Sequence, residues 1–194
     1  MNRTVELVRK TNEVAVTGQI DLDGIGESAV NTGLGFLDHM LITFAKHSGI
    51  DLELSVVGDI EVDDHHITED CAIVLGRGID TALGHRQGVQ RFGAAYVPLD
   101  ESLVRSVVDL SGRPWPEIHI DFSRERIGDI STENIIHFFR SLAIESRMAL
   151  HVDLLRGDND HHKAEAAFKA TAIAFRSAAK INGDQTPSTK GSLG

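Results

Sequence analysis

The chain has 194 residues, enough for one domain or two small halves sharing a core, and its 41% hydrophobic and 25% charged residues describe a globular protein rather than a disordered one. A formal net charge of −10 argues against nucleic acid or an anionic membrane surface as the main partner, because both reward clustered positive charge. A single cysteine, Cys71, excludes an intrachain disulfide and a cysteine-based zinc framework; no apolar run nears the roughly 20 residues that span a bilayer, and residues 1–16 hold no apolar signal segment, so a cytoplasmic protein is expected.

Residues 3–22 alternate polar and apolar, which suits two strands with a turn near Lys10-Thr11-Asn12. Gly24, Gly26, Gly33 and Gly35 form a flexible connection that lacks the lysine and spacing of a phosphate loop. Helical periodicity begins at Phe36, a strand-like stretch covers residues 50–57, and a second helix is expected from Asp64 to Leu83, ending at Gly84. The segment 87–93 is a polar connection without the character of a disordered linker, so two halves are expected to pack closely. Strands are expected at 95–99, 103–110 and 117–122, and a helix opens near Ser131 with an early acidic residue. A strand at 150–155 leads to a last helix over about 161–180. With aromatics at only 5%, the core is expected to be mostly aliphatic.

Asp64-His65-His66-Ile67-Thr68-Glu69 returns as Asp160-His161-His162-Lys163-Ala164-Glu165. Each copy follows a helix bearing one histidine, His39 or His137, and then a strand and a loop. The chain therefore reads as a duplicated half, 1–90 and 91–183, followed by a polar tail, 184–194, of a kind that a ligand can order. On a helix each Glu lies three or four residues from its histidines and shares a face with one of them, whereas adjacent histidines diverge by roughly 100°. One such helix offers ligands in two directions, and a second completes both sites, which points to a dinuclear metal centre. Six histidines and two glutamates supply three imidazoles and one carboxylate to each of two ions. Ligands of this kind without thiolates, and with room for six-coordination, favour manganese or iron over a closed tetrahedral zinc. Asp38, Asp63, Asp64 and Asp160 are candidates to orient the ligand histidines or to cap helices. Cations near such a site, Arg91, Arg113, Lys169 and Lys190, suggest an anionic substrate such as a phosphate monoester.

Phe36-Leu37-Asp38-His39-Met40, the two His-His-x-x-Glu segments, Ser111-Gly112-Arg113-Pro114, His137-Phe138-Phe139 and the tail Pro187-Ser188-Thr189-Lys190-Gly191 together resemble the imidazoleglycerol-phosphate dehydratases of histidine biosynthesis over nearly the whole chain. The resemblance implies an α+β fold of two duplicated β-sheet/α-helix halves, similar to ribosomal protein S5 domain 2. It implies a hydro-lyase with two Mn²⁺ per active site that binds its substrate as imidazolate, and a cytoplasmic 24-subunit homo-oligomer with active sites at subunit interfaces. The implied metal ligands are His39, His65, His66, Glu69, His137, His161, His162 and Glu165. Arg91, Arg113, Lys169, Ser188, Thr189 and Lys190 match positions around the substrate phosphate. Glu13 matches a position near the reacting carbons and, with Glu69 and Glu165, makes up the candidate catalytic carboxylates. The tail reads Ser-Thr-Lys where relatives often have Ser-Ser-Lys, and the hydroxyl is retained. The length leaves no room for the phosphatase domain fused to some relatives, so a monofunctional enzyme is expected. Two other classes remain open: a dinuclear metallohydrolase of a phosphate ester, and a non-catalytic metal-binding shell.

Overall fold

A computed structural model describes residues 3–191 and Leu193. The outermost positions of the expected first half and of the tail, Met1, Asn2, Ser192 and Gly194, lie outside the described residues. Strands β1 (Thr4–Lys10) and β2 (Val14–Asp21) form a hairpin, then β3 (Ser28–Asn31), helix α1 (Gly35–Ser48), β4 (Asp51–Gly58) and α2 (His65–Leu83) follow. The second half repeats the series with β5 (Phe92–Leu99), β6 (Ser102–Asp109), β7 (Trp115–His119), a short hairpin β8 (Arg126–Ile127) and β9 (Ile130–Ser131), α3 (Thr132–Glu145), β10 (Ala149–Arg156) and α4 (Asp160–Ala179).

The two four-stranded sheets have the same topology, β1-β2-β4-β3 and β5-β6-β10-β7, in which only the last strand of each runs parallel to its neighbour. Alternating burial along β4 and β6 gives each sheet one apolar face. Helix α2 covers the first sheet through β1 and β2, and α4 covers the second through β5 and β6. Across the middle the helices pair between halves, α1 with α4 and α2 with α3. The architecture is α+β, with a helical layer shared by two equivalent halves.

Aromatic residues are few but concentrated in that layer. Phe44, Phe138, Phe139, Phe168 and Phe175 are among the largest fully buried side chains. Phe168 of α4 meets Phe138 and Phe139 of α3 at ring-centroid distances of 5.2 and 4.6 Å, and Phe44 meets Phe175 at 6.2 Å. The helix-helix seam thus departs from the aliphatic core expected of the composition, since rings fill the space between crossing helices.

Three local differences have physical causes. β3 falls in the glycine-rich connection; its mostly exposed residues show no alternation, and it exists through parallel pairing with β4. β7 begins at Trp115, two residues before the expected Glu117, because it takes its register from β10. The β8–β9 hairpin buries Ile127 and Ile130 and turns at Gly128, whose φ of 60° a glycine adopts freely. No helix among the described residues is long and apolar enough to cross a membrane.

Candidate metal centre

The pairing of helices across the halves decides which ligands meet. His65 and Glu69 in the first turns of α2 meet His137 of α3, and His161 and Glu165 of α4 meet His39 of α1. Within each trio the ligand atoms lie within 4.8 Å of one another. His137 Nε2 is 3.0 Å from Glu69 Oε1, and the His65 and His137 rings stack at 4.9 Å. In the other trio, Glu165 Oε2 is 3.2 Å from His161 Nε2 and 3.6 Å from His39 Nε2. Each trio therefore combines one helix of each half.

His66 and His162 belong to neither trio. Adjacent side chains diverge around a helix, and the planes of these two rings stand at 75° and 89° to those of His65 and His161. Each is gripped at Nδ1 by a carboxylate that the sequence did not single out: Asp59 at 3.1 Å for His66, and Glu101 at 2.7 Å for His162. Those contacts raise both imidazoles above their ordinary pKa and hold Glu101 well below the usual carboxylate range. With the Nδ1 proton committed to a carboxylate, Nε2 is left as the donor atom, an arrangement common among metal-bound histidines. Glu13 Oε2 lies 3.8 Å from His66 Nε2, and Asp100 Oδ2 lies 3.8 Å from His162 Nε2.

His65 has a different anchor. Its Nδ1 donates to Asn134 Oδ1 at 3.0 Å, and Asn134 Nδ2 donates to the buried Asp64 at 2.8 Å. Burial pushes the Asp64 carboxyl up, but donations from Asn134 and from Ser131 more than reverse this and hold it low. Of the other candidate acids, Asp63 caps α2 through the His65 N–H, and Asp38 accepts from Thr32. Asp160 holds the loop amides of Ser123 and Arg124 and the Lys163 ammonium. Asn134, one helical turn before His137, carried a weak positional signal; Asp59 and Glu101 sit in connections without periodicity and carried none.

The expected phosphate-binding residues separate into two places. Arg91, Arg113, Ser188, Thr189 and Lys190 line one hollow of about 540 Å³ with Pro187 and Leu193. Arg91 forks onto Asp109 at 2.8 and 3.2 Å and donates to Pro187 O at 2.9 Å, which ties the tail to the start of β5. Lys169 is elsewhere, ion-paired at 2.8 Å with Glu165. His47 lies near it; burial first, then the Lys169 charge, lowers its pKa.

The hollow and the trios occupy opposite ends of the same helices. The Arg91 N–H donates to Ala178 O at the end of α4, whereas His161 begins that helix; at 1.5 Å per residue, roughly 25 Å lies between them. Gln87 and Gly88, just beyond α2, hold the tail at Asp184 and Gln185, again about 20 Å of helix from Glu69.

A family model described as imidazoleglycerol-phosphate dehydratase matches residues 32–175. The chain is 50% identical over 189 residues to the imidazoleglycerol-phosphate dehydratase of Chlorobium phaeovibrioides, covering 97% of this chain and 94% of that one. It is 52% identical over 192 residues to the one from Phytophthora nicotianae, covering 98% of this chain but spanning only 42% of that longer relative. The crystal structure of the Staphylococcus aureus imidazoleglycerol-phosphate dehydratase superposes with a TM-score of 0.84 at 39% identity, covering 92% of this chain and 99% of that one. The fold, the paired histidine and glutamate trios and these likenesses together show that the chain belongs to the imidazoleglycerol-phosphate dehydratase family of hydro-lyases.

Proposed function

We propose that the protein removes water from D-erythro-imidazole-glycerol phosphate to give imidazole-acetol phosphate, a step of histidine biosynthesis. The observation that carries this reading is the pair of His₂Glu trios, built from imidazole and carboxylate alone, in one family fold. The donor set fits two divalent cations with open coordination positions, and manganese is the ion we propose. Two such ions, if bound there, would supply Lewis-acid and template chemistry to the substrate's imidazole ring. His39, His65, His66, Glu69, His137, His161, His162 and Glu165 hold them, His66 and His162 reaching outward to complete trios of neighbouring chains.

The protein's own groups do the rest. The guanidiniums of Arg91 and Arg113, the Lys190 ammonium and the hydroxyls of Ser188 and Thr189 hold the phosphate, fixing the remote end so that the reacting carbons are oriented. Lys169 adds a cation from another chain. Glu13, beside His66 Nε2, moves the proton that leaves with the hydroxyl, and Glu13→Gln should lose most turnover while keeping its metal.

The 20 Å or more of helix between hollow and trios is too long for an imidazole and a three-carbon phosphate to bridge. This supports an active site assembled between chains and a closed homo-oligomer, for which we propose 24 subunits. We further propose half-repeats at 1–90 and 91–183, a tail at 184–194 that closes on the ligand, and a cytoplasmic location.

The test is turnover by chelator-stripped protein with and without added Mn²⁺, following ketone and free phosphate in parallel. Ketone only with manganese and no phosphate is expected. Phosphate release would replace this reading with a phosphate-ester hydrolase, and silence in both channels would leave a metal-binding shell.

A further inference from the structure

The two trios occupy equivalent places in the duplicated halves but differ in their surroundings. Phe36 stands three residues before His39, and Asn134 stands three before His137, so both present a side chain to the leading histidine of the opposite trio helix. Asn134 accepts the His65 Nδ1 proton at 3.0 Å and is itself fixed by Asp64 at 2.8 Å. That relay sets the His65 tautomer and leaves its Nε2 as the donor atom beside Glu69 and His137. Phe36 instead offers a ring edge to His161 at 5.2 Å, and among the described residues no hydrogen bond reaches His161 Nδ1. His161 is oriented through Nε2 by Glu165 at 3.2 Å, the contact a metal ion would replace, and it lacks the Nδ1 partner that would hold its tautomer once that contact is given up.

A second difference acts in the same direction. Lys169 lies four residues beyond Glu165 and places its ammonium 2.8 Å from the carboxylate. The equivalent position beyond Glu69 is Ile73. A cation beside the Glu165 carboxylate repels an incoming metal ion and must be displaced or screened, whereas among the described residues no lysine or arginine is ion-paired with Glu69. His66 and His162 do not offset this, because both are gripped at Nδ1 by a carboxylate.

We propose that the two trios bind their divalent cations unequally: His65, Glu69 and His137 hold the tighter ion, and His39, His161 and Glu165 hold a looser, exchangeable one. The inference rests on the dinuclear reading above. The tight ion stays in place when metal is scarce, and occupancy of the looser site sets the fraction of complete centres. Partners of this kind typically change metal affinity by about 10- to 100-fold, which sets the expected separation.

The test is calorimetric titration of chelator-stripped protein with Mn²⁺, with bound ions per chain counted by equilibrium dialysis and atomic emission. Two steps separated by about tenfold or more are expected. Asn134→Ala weakens the tight step alone. Lys169→Gln strengthens the weak step alone, a gain that a folding defect cannot produce. Two ions of equal affinity, or a weak step that Lys169→Gln leaves unchanged, would overturn the inequality while leaving the dinuclear reading intact. One ion or none per chain would overturn both.

Discussion

The Asp129 carboxylate accepts the backbone N–H groups of Phe36 at 3.0 Å and Gly35 at 2.5 Å, so the N-terminus of α1 is capped by a residue of the opposite half. Leu34, at the N-cap position itself, makes no side-chain cap. The carboxylate satisfies donors that would otherwise lack partners and places negative charge at the positive end of the helix. It also fixes Phe36, whose ring packs on His161 and His39. Asp129→Ala should cost about 1 kcal/mol, the usual worth of such a cap, and lower the melting temperature by roughly 2–4 °C for a chain of this size. Asp129→Asn should recover most of it. Thermal unfolding of the two variants checks this, and an alanine variant as stable as the wild type would remove the cap from the account.

How much of this was legible depends on whether a feature had a period. The helices bearing His39, His65, His137 and His161 are written in apolar spacing, and the divergence of His66 and His162 from their neighbours follows from helix geometry alone. The trios were not legible, because α1 meets α4 and α2 meets α3 through packing between halves distant in sequence. Asp59, Glu101 and Asp129 lie in loops and turns, where a carboxylate's partner is set by tertiary position. Lys169 matched phosphate-binding positions, yet within the chain it sits on Glu165. That contact was legible, since residues four apart share a helix face.

Gly93 begins the contact between the second sheet and α4. A Cβ built there would stand 1.9 Å from Ala174 O and 2.9 Å from Ala178 N, backbone atoms that cannot swing aside. Gly93→Ala must push α4 off β5, and overpacking of this kind costs about 1–3 kcal/mol. The midpoint of urea unfolding should fall accordingly, and an unchanged midpoint would show that the helix shifts freely.

The Arg3 and Asp23 pair ties the start of the chain to the loop after β2, with contacts of 3.0 and 2.5 Å. The hydrogen bond from Arg3 holds the Asp23 carboxyl below its ordinary value of 3.8, against a smaller upward push from burial. A depressed carboxyl contributes stability that is present above the unfolded pKa and is lost as pH falls through the folded value. Asp23 is half exposed, so the contribution is no more than about 1 kcal/mol. Asp23→Asn should be slightly less stable at pH 7 and should lose less on acidification to pH 3. Parallel stability curves for variant and wild type would contradict the linkage.

A site assembled between chains makes a prediction that one built within a chain does not. Arg113 lines the phosphate hollow and His161 belongs to a trio, and roughly 25 Å of α4 lies between those two ends. Arg113→Ala chains should retain bound metal but lose turnover through a raised KM, and His161→Ala chains should lose turnover along with one metal ion. Co-assembled after mixing, the two should regain activity, because some sites then take an intact hollow from one chain and an intact trio from another. A site within one chain would contain a defect in every copy, and the mixture would stay as inactive as its components. Turnover of the co-refolded mixture, with assembly checked by light scattering, distinguishes the two arrangements.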